Sequence, residues 1–397
     1  MPENIRLERV IDKELAQEIE KESVSVSPHL AYLRVCEDLQ SAEFEVDGDG
    51  DPAVVEVKVK QFLLVMLARV KRSDPKVYAQ YARRDGAEFH PKPYEELVNR
   101  GWVVEIGPGH VALSGGALRL FDYIDALAAR LHETEFGASP RSFPAFVPGQ
   151  TLHRCGYFDA HPNNVTMVTH LVDDFDAIEG FRTANETGPA GLTIPDRDML
   201  AQPHVCMNPA ACLPSYPIYE GRTLPSEGVA LTWRGRIFRY ESRNARGLER
   251  LWEFNVRELV LMGSGAQVTD GTRRMHELVE TLVTRLNLSA SLESASDPFF
   301  ATVAAARKFW QESMDSKQEI RLAVGDGRDG VATVSAGSVN AHGRFFGDRF
   351  DITDCDRDRA HTACMGLGLE RWVLACFAQH GFEPKRWPAE AAEVVFS

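Results

Sequence analysis

Two strand-like stretches in the middle of the chain carry residues able to handle a nucleotide. Phe238-Arg239-Tyr240-Glu241 spaces an arginine and a carboxylate two apart, and Phe254, Val256 and Glu258 recur at the same interval within Trp252 to Val260. Side chains at i and i+2 of a strand share a face, so an arginine, two carboxylates and an aromatic would crowd one sheet surface. There Arg239 could hold a phosphate, Glu241 could accept from an adenine amino group, and Phe254 could lie against the base. The same charges also describe a solvated antiparallel face carrying ordinary ion pairs.

The elements that must position these residues are two strands, Val229 to Glu241 and Leu251 to Leu261, joined by a polar loop that contains Arg246 and Arg250. Apolar and polar residues alternate with period two along both, which predicts an antiparallel hairpin. Far downstream, Thr362-Ala363-Cys364-Met365-Gly366-Leu367-Gly368-Leu369-Glu370-Arg371 leads two glycines into an apolar helix with Arg371 in its first turn. Upstream, a helix over Ser114 to Thr134 precedes Phe136-Gly137-Ala138-Ser139-Pro140-Arg141.

Taken in order, these three pieces resemble motifs one, two and three of the class II aminoacyl-tRNA synthetases. The resemblance covers roughly Ile106 to the C-terminus. It implies an α+β fold, with an antiparallel sheet flanked by helices and the active site on the sheet face, and a homodimer built on motif one. In the roles it carries over, Arg239 binds the α-phosphate of ATP, Glu241 the adenine, Phe254 the ring face and Arg371 the γ-phosphate. Arg239, Glu241 and Arg371 are the catalytic set. Arg246 and Arg250 would clamp the phosphates, and magnesium would bridge them, with Asp351 and Asp354 as guesses for its ligands.

The seven cysteines are scattered and odd in number, which argues against a disulfide framework and leaves metal ligation or plain burial. Cys212, Glu258 and Cys364 offer a donor set for zinc, but their spacing alone proves nothing. The chain is also similar to the seryl-tRNA synthetase variant of methanogens, and more closely to the amino acid:carrier protein ligases, families that use a Cys-Glu-Cys zinc site. Cys212 in Pro-Ala-Ala-Cys, Glu258 in Val-Arg-Glu-Leu and Cys364 in Thr-Ala-Cys-Met fit its three ligands. Further matching blocks are Ala295 to Phe300, Ser338-Val339-Asn340-Ala341-His342 and Ala360-His361-Thr362. Lys317, Glu319 and Asn340 are candidates for the amino acid pocket.

The implied activity is ATP-dependent, zinc-dependent activation of a small amino acid, glycine or alanine, with transfer to the phosphopantetheine arm of a separate carrier protein. A seryl-type tRNA synthetase is the alternative enzyme, and a catalytically inactive synthetase-like regulatory or binding protein is a third reading. A net charge of -14 is awkward for gripping a polyanion, so tRNA is the less expected partner.

With 397 residues, 44% hydrophobic and 26% charged, the chain reads as a soluble cytoplasmic protein of more than one domain, with no apolar run long enough to span a bilayer. Residues 106–397 are expected to form the catalytic domain, and residues 1–105 a smaller, mostly helical region. Within that region we expect a helix over Leu7 to Lys21, further helix through Ser41, and a strand-like start passing into helix from Ala53 to Ala82. A winged-helix-like helix and Gly-Pro-Gly hairpin close it. Lys58, Lys60, Arg69, Lys71, Arg72, Lys76, Arg83 and Arg84 form a basic cluster that reads as a solvated face or as a docking patch.

Overall fold

A computed structural model describes residues 2–67, 76–83, 88–187, 191–240, 244–294, 317–327 and 330–397. Glu241, the cluster residues Arg69, Lys71, Arg72 and Arg84, and the block 295–300 lie outside them.

The central hairpin forms as its alternation predicts. Strands Val229–Phe238 and Glu253–Gly263 pair antiparallel from Val229 opposite Met262 to Phe238 opposite Glu253. The second strand also pairs antiparallel with His361–Gly368, which pairs in turn with Gly330–Gly343, then Lys317–Gly327, Ala290–Ser294 and Val77–Tyr81. Ser139–Pro140 adds a short parallel edge against Leu231 and Thr232. An eight-stranded, largely antiparallel sheet results.

Helices Gly115–Phe136, Gly265–Arg285 and Leu369–His380 contribute to the hydrophobic core on one face of this sheet. Ser264 starts the second of these with a capping box to Gln267, and Gly137, at φ +61°, ends the first in the left-handed conformation that glycine adopts freely. The opposite face is covered by the irregular chain between Phe143 and Leu224, which builds a second core with Leu231, Trp233, Val260 and Met262. The residues with chemistry gather on that second face.

The N-terminal region differs from its mostly helical expectation. The helix at Lys13–Glu22 is present, but the segment toward Ser41 is the strand pair Leu30–Val35 and Ser41–Val46, with Glu3–Arg6 as the third strand. Asp38 accepts from the backbone of Gln40 and Ser41 and from the Ser41 hydroxyl, and Leu39 takes φ +54°, so this turn reverses the chain where helix was expected. The order of the next two elements is also inverted: Pro52–Leu67 is helix and Val77–Tyr81 is strand. The β-branched run through Val59 imitates a strand, yet Val55, Val59, Phe62, Leu63 and Met66 are buried at helical spacing against the small sheet.

These residues form a core of their own, whereas Leu97 and Val103 belong to the large core and Val77–Tyr81 extends the large sheet. The cores therefore divide between residues 67 and 77, ahead of the boundary expected near 105. The helix Pro93–Asn99 and the hairpin Val103–Gly107 with His110–Leu113 occur where the sequence places them. Among the described residues no helix is long and apolar enough to cross a membrane.

Candidate active site

Register decides what meets on the second sheet face. Directly opposite residues of neighbouring strands point the same way. One cross-strand row runs Lys317, Asn340, Cys364, Val260, Leu231, and the adjacent row runs Glu319, Ser338, Gly366, Glu258, Trp233. Lys317, Glu319 and Asn340 thus share a face with Cys364 and Glu258, although they come from four strands.

Cys212 arrives from outside the sheet, just before a short 3-10 turn, Leu213–Ser215. Its loop is fastened to the end of the hairpin, because Phe238 N–H donates to the Asn208 carbonyl and Arg239 Nε to the Pro209 carbonyl, each at 2.9 Å. Ser215 Oγ donates to the Cys212 carbonyl at 2.6 Å and locks the turn. One Sγ each from Cys212 and Cys364 and one oxygen from Glu258 come to lie within 4.8 Å of one another.

All three are buried. Their mutual contact holds the Cys212 thiol down and pushes the Cys364 thiol up, and burial drives the Glu258 carboxyl well above the usual carboxylate range. Two thiols and a carboxyl with such close heteroatoms make a poor apolar core and a good cation site. Zinc bound by two sulfurs and an oxygen at about 2.0–2.3 Å keeps a tetrahedral position open, and its ligand atoms then sit roughly 3.5–3.8 Å apart. Donor atoms within 4.8 Å of one another are close enough for Cys212, Glu258 and Cys364 to converge on one ion.

Arg239 lies on the same hairpin face, its Cζ 5.6 Å from the centroid of the Phe254 ring. Arg239 and Phe254, expected from the sequence to meet a phosphate and a base, therefore lie against one another. Arg371 is tied elsewhere: Nε donates to the Glu249 carbonyl at 2.7 Å and Nη1 to the Ser335 carbonyl at 2.5 Å. Glu249 also pairs with the exposed Arg246 at 3.5 Å, and Arg246 bridges Arg250 through the backbone, so these three arginines meet around one loop. Glu370, buried next to Arg371, accepts from the Asn255 backbone and side-chain amide, which pins the downstream helix to the hairpin. The two guesses for magnesium are committed locally: Asp351 pairs with Arg359, and Asp354 accepts from the Asp356 and Asp358 amides.

Desolvation lowers Lys317 to about 8, opposed by Glu319 at 3.8 Å. The same cause lowers His161 to about 3, with Arg239 and Lys317 adding to the shift, and His342 to about 4. From the sequence, His161, Tyr216 and His342 carry no assigned role, although His342 closes the matching block that starts at Ser338. Tyr216 is wholly buried beside Cys212, and its phenol is pushed far up by burial and by the surrounding acidic groups. The block ending at His342 was legible in the sequence, but the direction of its side chain was not.

Residues 199–380 match the family described as the tRNA synthetase class II core domain (G, H, P, S and T). The type-2 serine–tRNA ligase of Methanopyrus kandleri is 26% identical over 345 residues, 83% of this chain and 65% of that protein. This chain therefore spans slightly less than two thirds of that relative. Amino acid–[acyl-carrier-protein] ligase 1 of Bradyrhizobium diazoefficiens is 28% identical over 274 residues, 68% of this chain and 81% of its own length. Ligase 2 of the same organism is 27% identical over 311 residues, 78% and 90% respectively. Among solved structures, M. kandleri SerRS in complex with A. aeolicus tRNASec superposes with a TM-score of 0.72 at 23% identity, over 99% of this chain and 77% of that one. That likeness carries the fold.

Proposed function

Because residues 199–380 form a class II tRNA synthetase core domain, we propose that the protein is an AMP-forming ligase that activates a small amino acid, glycine or alanine, and passes it to the phosphopantetheine thiol of a separate carrier protein. The observation that carries this reading is the convergence of Cys212, Glu258 and Cys364 on the sheet face that also bears Arg239 and Phe254. When bound there, zinc supplies a Lewis-acidic position for an uncharged amino group, which favours amino acids over acids lacking one.

The chain's own residues handle the nucleotide. A substrate carboxylate oxygen attacks the α-phosphorus of ATP, and the bond to the departing pyrophosphate breaks. Arg239 neutralises the charge gathering on the α-phosphate, and Phe254 supports the base. Glu241 would accept from the adenine amino group, Arg246 and Arg250 would clamp the phosphates, and Arg371 would hold the γ-phosphate; magnesium, when bound, would offset their negative charge. Lys317, Glu319 and Asn340 line the floor on which the amino acid lies. No enzyme nucleophile is needed, since positioning and charge stabilisation carry the step. The acceptor thiol then attacks the acyl carbonyl, AMP leaves, and a thioester forms. A homodimer assembled on the Gly115–Phe136 helix completes the expected assembly.

A serine–tRNA ligase activity is the second reading. In its support, the Methanopyrus relative matches 83% of this chain, against 68% for carrier-protein ligase 1. Against it, acidic residues outnumber basic ones by about two to one in the first 67 residues, which makes a poor platform for RNA. The deciding experiment offers radiolabelled amino acid and ATP to the enzyme with either phosphopantetheinylated carrier protein or tRNA. Label on the carrier, released by neutral hydroxylamine, is expected; label on tRNA alone would overturn the choice of acceptor.

A further inference from the structure

We propose that His342 is a positioning residue for Cys364, its Nε2–H donating to Sγ so that the sulfur faces Cys212 and Glu258. This rests on the reading that those three residues hold a metal.

The observation is a built irregularity in the sheet. Along the pairing of Gly330–Gly343 with His361–Gly368, Ala341 lies opposite Ala363, but Gly343, not His342, lies opposite Thr362. The ladder carries a bulge there, with Gly343 at φ +54°. Bulges re-aim side chains. Here the imidazole is turned so that Nε2 stands 3.7 Å from Cys364 Sγ while Nδ1 stands 3.1 Å from Thr362 Oγ1. Asn340, directly opposite Cys364, adds Nδ2 at 3.5 Å from the same sulfur. The ring stands edge-on to the stacked pair Tyr216 and Phe346, at centroid distances of 6.3 and 4.9 Å.

A neutral imidazole has one N–H to give. A metal-bound thiolate can only accept, whereas the Thr362 hydroxyl can donate or accept. Both neighbours are satisfied when Thr362 donates to Nδ1 and the ring proton sits on Nε2. The sulfur then has two N–H donors and one fixed orientation, an outer layer of the kind that commonly supports metal ligands.

The test measures the zinc dissociation constant by competition with a chromophoric chelator, together with the sulfur-to-metal charge-transfer band of the cobalt-loaded protein. Wild type, His342→Phe, His342→Gln and Thr362→Val are compared, with circular dichroism of the metal-free proteins as the folding control. His342→Phe keeps an aromatic ring against the stacked Tyr216 and Phe346 and is expected to bind zinc about 10–100-fold more weakly, with a shifted cobalt band. His342→Gln, which restores an N–H, should recover much of the loss, and Thr362→Val should fall between. Unchanged constants and superimposable cobalt spectra in His342→Phe would overturn the proposal. If that variant does not fold, unchanged values in Thr362→Val would do the same. Wild-type protein that takes up neither zinc nor cobalt would instead remove the metal reading beneath the proposal, a result that needs no variant.

Discussion

Gly366 stands directly opposite Glu258 between the two central strands, and a Cβ on Gly366 would come within 2.7 Å of Glu258 Oε2. The carboxyl therefore reaches Cys212 and Cys364 through space that a glycine leaves open. Any side chain at 366 must displace it. Gly366→Ala should weaken zinc binding at least tenfold and cost about 1–3 kcal/mol of stability, the usual range for overpacking. Chelator competition and denaturant unfolding measure the two effects, and unchanged zinc affinity would show that this contact does not hold Glu258 in place.

Cys212→Ser, Glu258→Gln and Cys364→Ser each remove one donor from a set of three. Zinc content, by inductively coupled plasma mass spectrometry after gel filtration, should drop from about one per chain to near zero, because three protein ligands are the usual minimum for a catalytic zinc. A Cys155→Ser control should keep its metal. Cys155 is buried nearby but lies outside the cluster, with its thiol raised to about 12 by burial.

Arg239 is placed to meet charge that develops on the α-phosphate. Removing a donor of that kind costs about 10²–10³ in rate. Arg239→Ala should lose at least that much in pyrophosphate exchange, and Arg239→Lys should recover little, since an ammonium cannot reproduce the planar fork or the contact with Phe254. Exchange near the wild-type rate in either variant would remove Arg239 from the chemistry.

His132, His161 and His342 are lowered to about 3, 3 and 4, mainly by desolvation. Their folded values lie below the ordinary value near 6.5, so the unfolded chain binds more protons as pH falls through that interval. Their stabilising effect is present above about pH 6.5 and is lost progressively toward pH 4. The midpoint of thermal unfolding should fall steadily across that range. The slope should be shallower in His132→Gln, whose ring lies away from the site and contacts Thr232.

What could be read from the sequence follows from the physics of each element. The hairpin was legible because its alternation is a local, period-two signal. The Cys-Glu-Cys set was legible only by resemblance, since 46 residues separate Cys212 from Glu258 and 106 separate Glu258 from Cys364, and sheet register alone joins the last two. The bulge at His342 depends on pairing between two strands, and Gly343 is its one mark in the sequence, too weak to show which way the imidazole turns. The N-terminal sheet was missed because Leu30 and Leu33 stand at helical spacing while the reversal rests on one aspartate, Asp38. In the helix Pro52–Leu67, burial at every third or fourth residue outweighed the β-preference of its valines.

The most direct test of the account is amino-acid-dependent exchange of pyrophosphate into ATP, run across all twenty amino acids with and without a zinc chelator. Exchange with glycine or alanine, abolished by chelation and restored by zinc, is the expected result. Exchange with serine alone would favour the tRNA ligase reading. No exchange by folded, zinc-replete protein would contradict the account and favour a synthetase-like binding protein.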